Sequence, residues 1–255
     1  MKNILNKIKI DNTTYLLIFL ALLSGYIKNI FIILIIVLIH ELGHVFFFLL
    51  FKIDIVSIII YPFGGVTSVN KRIHERIYKD ILISLGGIIF QLILFIIFYL
   101  LYRNNLIVRS TYNIFNTYNK SVLLFNLLPI IPLDGSKFLF SLLSKYLSFK
   151  ISNILSIIIG IISLIVFIIY ISISGLNDLV IVIFLCIKLI EVIRNYKYIM
   201  NKFYLERIIY NNYYDGIVSN SSVDKMKLDK YYYFYDGRRY VNEREYIKGL
   251  KNSYK

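Results

Sequence analysis

"VLIHELGHVFFF", residues 37–48, places two histidines and a glutamate inside an apolar run long enough to cross a bilayer. Ionisable groups in a membrane span are costly and mark functional sites. On a helix, His40 and His44 lie one turn apart along the axis and about 40° apart in projection, so both imidazoles reach one ion. Glu41 projects beside them, where it can hold a water and take its proton as a general base. A chance match of five residues would have to capture two of the chain's three histidines.

The surroundings agree with a membrane setting. Of 255 residues, 58% are hydrophobic, and Leu, Ile and Phe come in blocks rather than at the spacing of soluble helices. Such a chain is an integral membrane protein. Its net charge of +14 sits mostly between and after the blocks. Lys and Arg placed there read as topology signals and contacts with anionic lipid, not as a nucleic-acid surface. The single cysteine, Cys186, lies within an apolar block, which excludes a disulfide framework and reads as a small buried hydrophobe. No small-residue cleavage site follows Ala21–Ser24, so the basic start and first apolar run read as a retained span rather than a signal peptide.

Six blocks are long enough to span: 13–27, 29–51, 80–102, 119–144, 151–173 and 177–194. The first two are separated only by a tight turn, and prolines break the fourth. Lys2, Lys7 and Lys9, with Lys52, Lys71, Arg72, Arg76 and Lys79, outweigh Lys28, Arg103, Arg109 and Lys120 on the other side. This puts both ends in the cytoplasm. The expected fold is therefore an all-α membrane protein of six transmembrane helices (1–194) with a small cytoplasmic α+β appendage (195–255). That appendage holds 12 Lys or Arg, 7 Asp or Glu and 13 tyrosines. Residues 196–212 read as a helix leaving the membrane. Asp236-Gly237 between β-prone runs predicts a hairpin, and Asn242 a cap for a helix over 243–251.

Catalytic zinc takes three protein ligands and leaves one position for water. His74 is a candidate by type, but "NKRIHERIYKD" is a charged loop in which a solvated histidine is expected. Asp134 in "FNLLPIIPLDGSK" is again an acid inside an apolar block. In the six-span topology the spans of His40 and Asp134 run the same way, and the two depths agree to roughly 6 Å. A helix broken at Pro129 and Pro132 has the freedom to close that gap, which makes Asp134 the expected third ligand.

HELGH on one span followed by "NLLPIIPLDG" on a later one resembles the intramembrane site-2 protease family of zinc metalloproteases. Within it, the resemblance is to the stage IV sporulation protein FB group, and it covers roughly 1–194 in span order. It implies Zn2+ bound by His40, His44 and Asp134, with Glu41 activating the water. It also implies that Asn126 helps to hold the substrate chain or the developing oxyanion. "YPFGG", residues 61–65, resembles the family's membrane-dipping hairpin, in which Phe63, Gly64 and Gly65 would meet substrate. Helical substrates hide their peptide bonds, and an exposed strand edge can hold a locally extended segment by β-addition. All three prolines, Pro62, Pro129 and Pro132, fall in these two motifs.

The resemblance further implies a membrane-associated protein substrate, a sigma-factor precursor of the pro-sigma-K type, cut near the cytoplasmic face during sporulation. The implied setting is the cell membrane, with the active site on the mother-cell side. Lipid and membrane regulatory proteins would be further partners, and nucleic acid would not. Departures from the family pattern are Gly86-Gly87 without a following proline and Ser136 in place of a glycine; neither removes a ligand or the base. A tail of 61 residues is too short for the pair of CBS motifs that many relatives carry. The outward loop 103–118 is too short for the PDZ insertion of another branch. Rival readings are a site-2 protease acting on another membrane-tethered regulator, an inactive scaffold, or a transporter. A scaffold usually lacks the glutamate, and a transporter predicts paired broken helices that are not visible. Lys188 and Glu191 read as a snorkelling pair.

Overall fold

Inside a bilayer every backbone polar group must bond within the chain, which forces the long Ile- and Leu-rich runs into helices. The computed structural model describes residues 7–252, apart from 13, 16–18, 20–22, 24, 62–63, 71, 172–175, 211–213, 215, 221 and 236. The first expected span, 13–27, lies largely outside the described residues. The structure is mostly helical and falls into two units: Met1–Lys71 with Leu82–Leu127, and Arg72–Ile81 with Leu128–Lys255.

The first unit begins with strand β1 (Ile8–Ile10), and helix α1 (Ile27–Leu50) carries HELGH. Among the described residues, α1 is one of three helices long and apolar enough to cross a membrane; the others are Ile77–Arg103 and Phe149–Tyr170. The end of α1 is a Schellman motif. Lys52 takes φ 55°, its N–H bonds to Leu49 O at 3.0 Å, and Ile53 N–H bonds to Phe48 O at 2.8 Å. Ile53 and Phe48 then join one buried cluster with Val45, Ile55, Ile58 and Ile83, which turns the chain from helix into strand.

Strand β2 (Ile55–Tyr61) lies at the centre of a three-stranded sheet. It pairs in parallel with β1 and antiparallel with β3 (Gly64–Val69). The hairpin read at "YPFGG" is therefore present, with Gly64 opposite Tyr61 and Gly65 opposite Ile60, while Pro62 and Phe63 lie outside the described residues. Among the described residues, β3 is the last strand in the order β1-β2-β3 and so an edge of this sheet.

Helix α2 (Ile77–Arg103) ends in a second Schellman turn, with Asn105 at φ 58° and Leu106 N–H bonded to Leu101 O at 3.0 Å. Helix α3 (Arg109–Leu127) follows. This corrects the expected outward loop 103–118, most of which is helix, and divides the fourth apolar block. The prolines cannot supply N–H donors, so the chain leaves helical geometry after Leu127 and resumes at α4 (Asp134–Tyr146). Phe115 of α3 stacks on Phe98 of α2, with centroids 3.8 Å apart, in a cluster with Ile32, Ile36 and Leu94.

In the second unit, α5 (Phe149–Ile171) and α6 (Leu176–Ile209) are followed by β4 (Gly216–Asn220), β5 (Lys230–Tyr235), β6 (Tyr240–Asn242) and α7 (Glu243–Asn252). As read from the sequence, α6 continues well past the apolar block. The hairpin at residue 237 is present, with Gly237 at φ 94° and Asp236 outside the described residues. Asn242 Oδ1 accepts from Glu245 N–H at 2.9 Å, the expected cap. One core joins Phe149 to Met200, Phe203, Met226, Leu228, Tyr232, Phe234 and Ile247. Where that core faces water, each such side chain contributes about 1.5–3 kcal/mol. Lys188 and Glu191 pair at 2.8 Å on the exposed face of α6.

Candidate active site

Glycines decide how closely α1 and α2 approach. A Cβ on Gly43 would lie 2.2 Å from Gly86 O, and one on Gly86 would lie 2.7 Å from Gly43 O. The two backbones touch at this crossing, as small residues allow in membrane helices. That contact brings both histidines against α2. His44 Nδ1 donates to Ile83 O at 2.7 Å, and His40 Nδ1 meets Gln91 Oε1 at 3.0 Å. The His40 ring lies over Gly87, where a Cβ would come within 2.4 Å of Cε1.

These bonds fix the chemistry of the other ring nitrogens. A carbonyl only accepts, so His44 carries its hydrogen on Nδ1, and its Nε2 bears a lone pair. The two Nε2 atoms stand 3.2 Å apart, with the rings edge to face. Two imidazole nitrogens held at 2.0–2.1 Å by one tetrahedral zinc ion are roughly 3.3 Å apart. The pair is thus spaced as two ligands of a single ion, with outer-sphere acceptors on both Nδ1 atoms. Both histidines are buried.

Glu41, half-buried on the same helix, accepts a hydrogen bond from Thr67 Oγ1 of β3 at 3.3 Å. The Glu41 carboxylate and strand β3 are therefore adjacent within the first unit. Asn126, in the last turn of α3, donates from Nδ2 to Val122 O at 3.1 Å.

Asp134 belongs to the second unit. It opens α4, where the helix dipole favours a carboxylate, and it is 5% exposed. Its Oδ1 accepts from Lys137 Nζ at 2.8 Å. Ser136, which departs from the family's glycine, donates from Oγ to Leu133 O at 2.7 Å and so fits the start of the helix.

His74 is a correction. It is not a solvated loop histidine but is 7% exposed inside the second unit. Its Nε2 accepts from Arg207 Nε at 2.9 Å, and its Nδ1 lies 3.4 Å from Glu206 Oε2. Loop composition concealed this because both partners lie 132 residues or more away, beyond the last apolar block. Burial pushes the His74 imidazole below its ordinary value, outweighing the Glu206 contact. Burial alone would raise Glu206, but hydrogen bonds from His74 and from Ile73 N–H hold it below the usual carboxylate range.

The residues that sequence reasoning missed are Gly43, Gln91, Asn119 and Thr67. A glutamine inside an apolar block was a readable signal for Gln91. Gly43 lies inside the HELGH motif, and nothing local distinguishes Asn119 or Thr67.

Over 204 residues the chain is 32% identical to stage IV sporulation protein FB of Bacillus subtilis (strain 168), covering 79% of this chain and 71% of that protein. The model of peptidase family M50 matches residues 28–105, which include HELGH and Gln91. The chain belongs to peptidase family M50. This M50 peptidase also shares its fold with the site-2 protease from Methanocaldococcus jannaschii, at a TM-score of 0.55 and 21% identity over 72% of this chain and 89% of that one. Family membership, together with apolar helices of membrane-crossing length, makes it an intramembrane metalloprotease.

Proposed function

We propose that the chain is a zinc-dependent endopeptidase that cuts a membrane-associated precursor protein near the cytoplasmic face. The observation that carries this reading is the 3.2 Å separation of the His40 and His44 Nε2 atoms, each ring anchored through Nδ1. Asp134 is the third ligand in this proposal, supported by burial of its carboxylate in an apolar block. His74 is not a ligand, since both its nitrogens are engaged with Arg207 and Glu206.

Bound zinc supplies Lewis acidity, which makes water acidic enough to attack a peptide carbonyl near neutral pH. Glu41 takes the proton of the attacking water and hands it to the departing amine. Thr67 Oγ1 orients that carboxylate by donating to Oε2. The β3 edge, with Gly64 and Gly65 and the adjacent Phe63, holds the substrate segment extended, and Asn126 supports its backbone or the developing oxyanion. Support for the strand role is that β3 is an edge strand that also carries the partner of Glu41.

The fold in this proposal has six spans, with residues 1–194 as protease core and 195–255 as a basic cytoplasmic appendage. The chain sits in the cell membrane with its site open to the cytoplasm, on the mother-cell side. The substrate is a sigma-factor precursor of the pro-sigma-K type, held among lipid and membrane regulatory proteins. Kinship with a stage IV sporulation protein supports that choice. Co-expression of the chain with membrane-tethered transcription-factor precursors tests it, using Glu41→Gln as the comparison. The expected result is one precursor shortened by the parent and left whole by the variant. Processing that survives Glu41→Gln would sink the proposal.

A further inference from the structure

Gln91 is the most deeply buried amide of the apolar helix α2, at 0% exposure, and the mechanism above does not use it. An unbonded amide in such surroundings is strongly disfavoured. Its hydrogen bonds say what it is for. Nε2 donates to Asn119 Oδ1 at 3.2 Å and lies 3.4 Å from Asn119 O; both are acceptors on α3. With the amino group turned toward α3, Oε1 faces His40 Nδ1 at 3.0 Å. An oxygen there requires the His40 hydrogen on Nδ1, which leaves the lone pair on Nε2, the nitrogen facing His44. Asn119 is itself 2% exposed, so the relay is shielded from water along its length.

Residues 87 and 91 are one helical turn apart and share a face. Gly87 leaves room for the imidazole, and Gln91 grips its far nitrogen. We propose that Gln91, oriented by Asn119, is a positioning residue that fixes the tautomer and ring rotation of His40 for metal binding. The proposal rests on His40 being a zinc ligand. It goes beyond that reading by assigning its outer-sphere partner to one amide and naming the residue that orients that amide. The His44 counterpart is the backbone oxygen of Ile83, which no side-chain substitution can remove. Tautomer control by side chain is therefore concentrated at His40.

The test has two arms, both on the full chain in detergent. The first needs no substitution. The metal-free protein, labelled with 15N-histidine, should show His40 as the Nδ1–H tautomer, and an Nε2–H tautomer would overturn the proposal. The second compares zinc affinity by competition with a chromophoric chelator. Gln91→Met keeps the volume but removes the acceptor, and should weaken zinc binding 10–100-fold, the usual effect of losing an outer-sphere partner. Gln91→Glu retains an oxygen for Nδ1–H and should remain within a few-fold of the parent. Met and Glu variants that bind zinc equally would mean a structural role only. Should the methionine variant not fold, Asn119→Leu decides: unchanged zinc affinity there overturns the relay. If His40→Ala leaves zinc binding intact, the ligand assignment itself is at fault, an outcome distinct from all of these.

Discussion

The ring of His40 rests on Gly87 so closely that one added methyl would lie 2.4 Å from Cε1 and 2.5 Å from Nε2. The atoms to be displaced belong to the imidazole of the proposed ligand His40, not to a flexible side-chain tip. Gly87→Ala should therefore move His40 while leaving α2 helical, because alanine favours helix over glycine. We expect at least a 100-fold loss of cleavage and reduced zinc content in a protein that still folds. Gly160→Ala is the control, since its nearest neighbour is 3.5 Å away. Normal activity in Gly87→Ala would show that the ring has another seat.

The metal assignment makes a separate prediction. His40→Ala, His44→Ala and Asp134→Asn should each lower zinc occupancy measured by elemental analysis, and His74→Ala should not. A site emptied by His74→Ala but filled in Asp134→Asn would reverse the assignment.

Arg207 and Glu243 form an ion pair at 2.6 Å with both side chains fully buried. Arg207 also donates to Lys227 O and Lys230 O, and Glu243 accepts from Tyr214 OH and Tyr232 N–H. Removing one member strands a buried charge, at a cost of about 3–5 kcal/mol. Glu243→Ala should make residues 210–252 sensitive to limited proteolysis under conditions in which the parent resists. Equal resistance would mean that the apolar core alone holds this region.

Acid should loosen the same unit. His74 and Glu206 both have folded-state values below their ordinary ones, so the unfolded chain binds more protons. Their contribution is fully present above the ordinary histidine value of 6.5 and falls as pH drops below it. Thermal melts in detergent should show lower midpoints from pH 7 to pH 5. His74→Gln, which cannot take up a proton, should flatten that slope; an unchanged slope would place the acid sensitivity elsewhere.

The helix that carries HELGH and the three long apolar helices were legible because they depend on local spacing and on the exclusion of charge from hydrocarbon. The hairpin at Gly237 and the cap at Asn242 were legible for the same local reason: each is set by two or three adjacent residues. What the chain alone could not disclose are relationships between distant positions. Gly43 meets Gly86, Gln91 meets both His40 and Asn119, and Thr67 meets Glu41 only once helices and strands have packed. His74 looked solvated until the Arg207 and Glu206 side chains closed over it. Spacing along one helix determined that His40 and His44 could share one ion. Tertiary packing decided which nitrogen each histidine presents, because a tautomer is chosen by the acceptor brought to the opposite side of the ring.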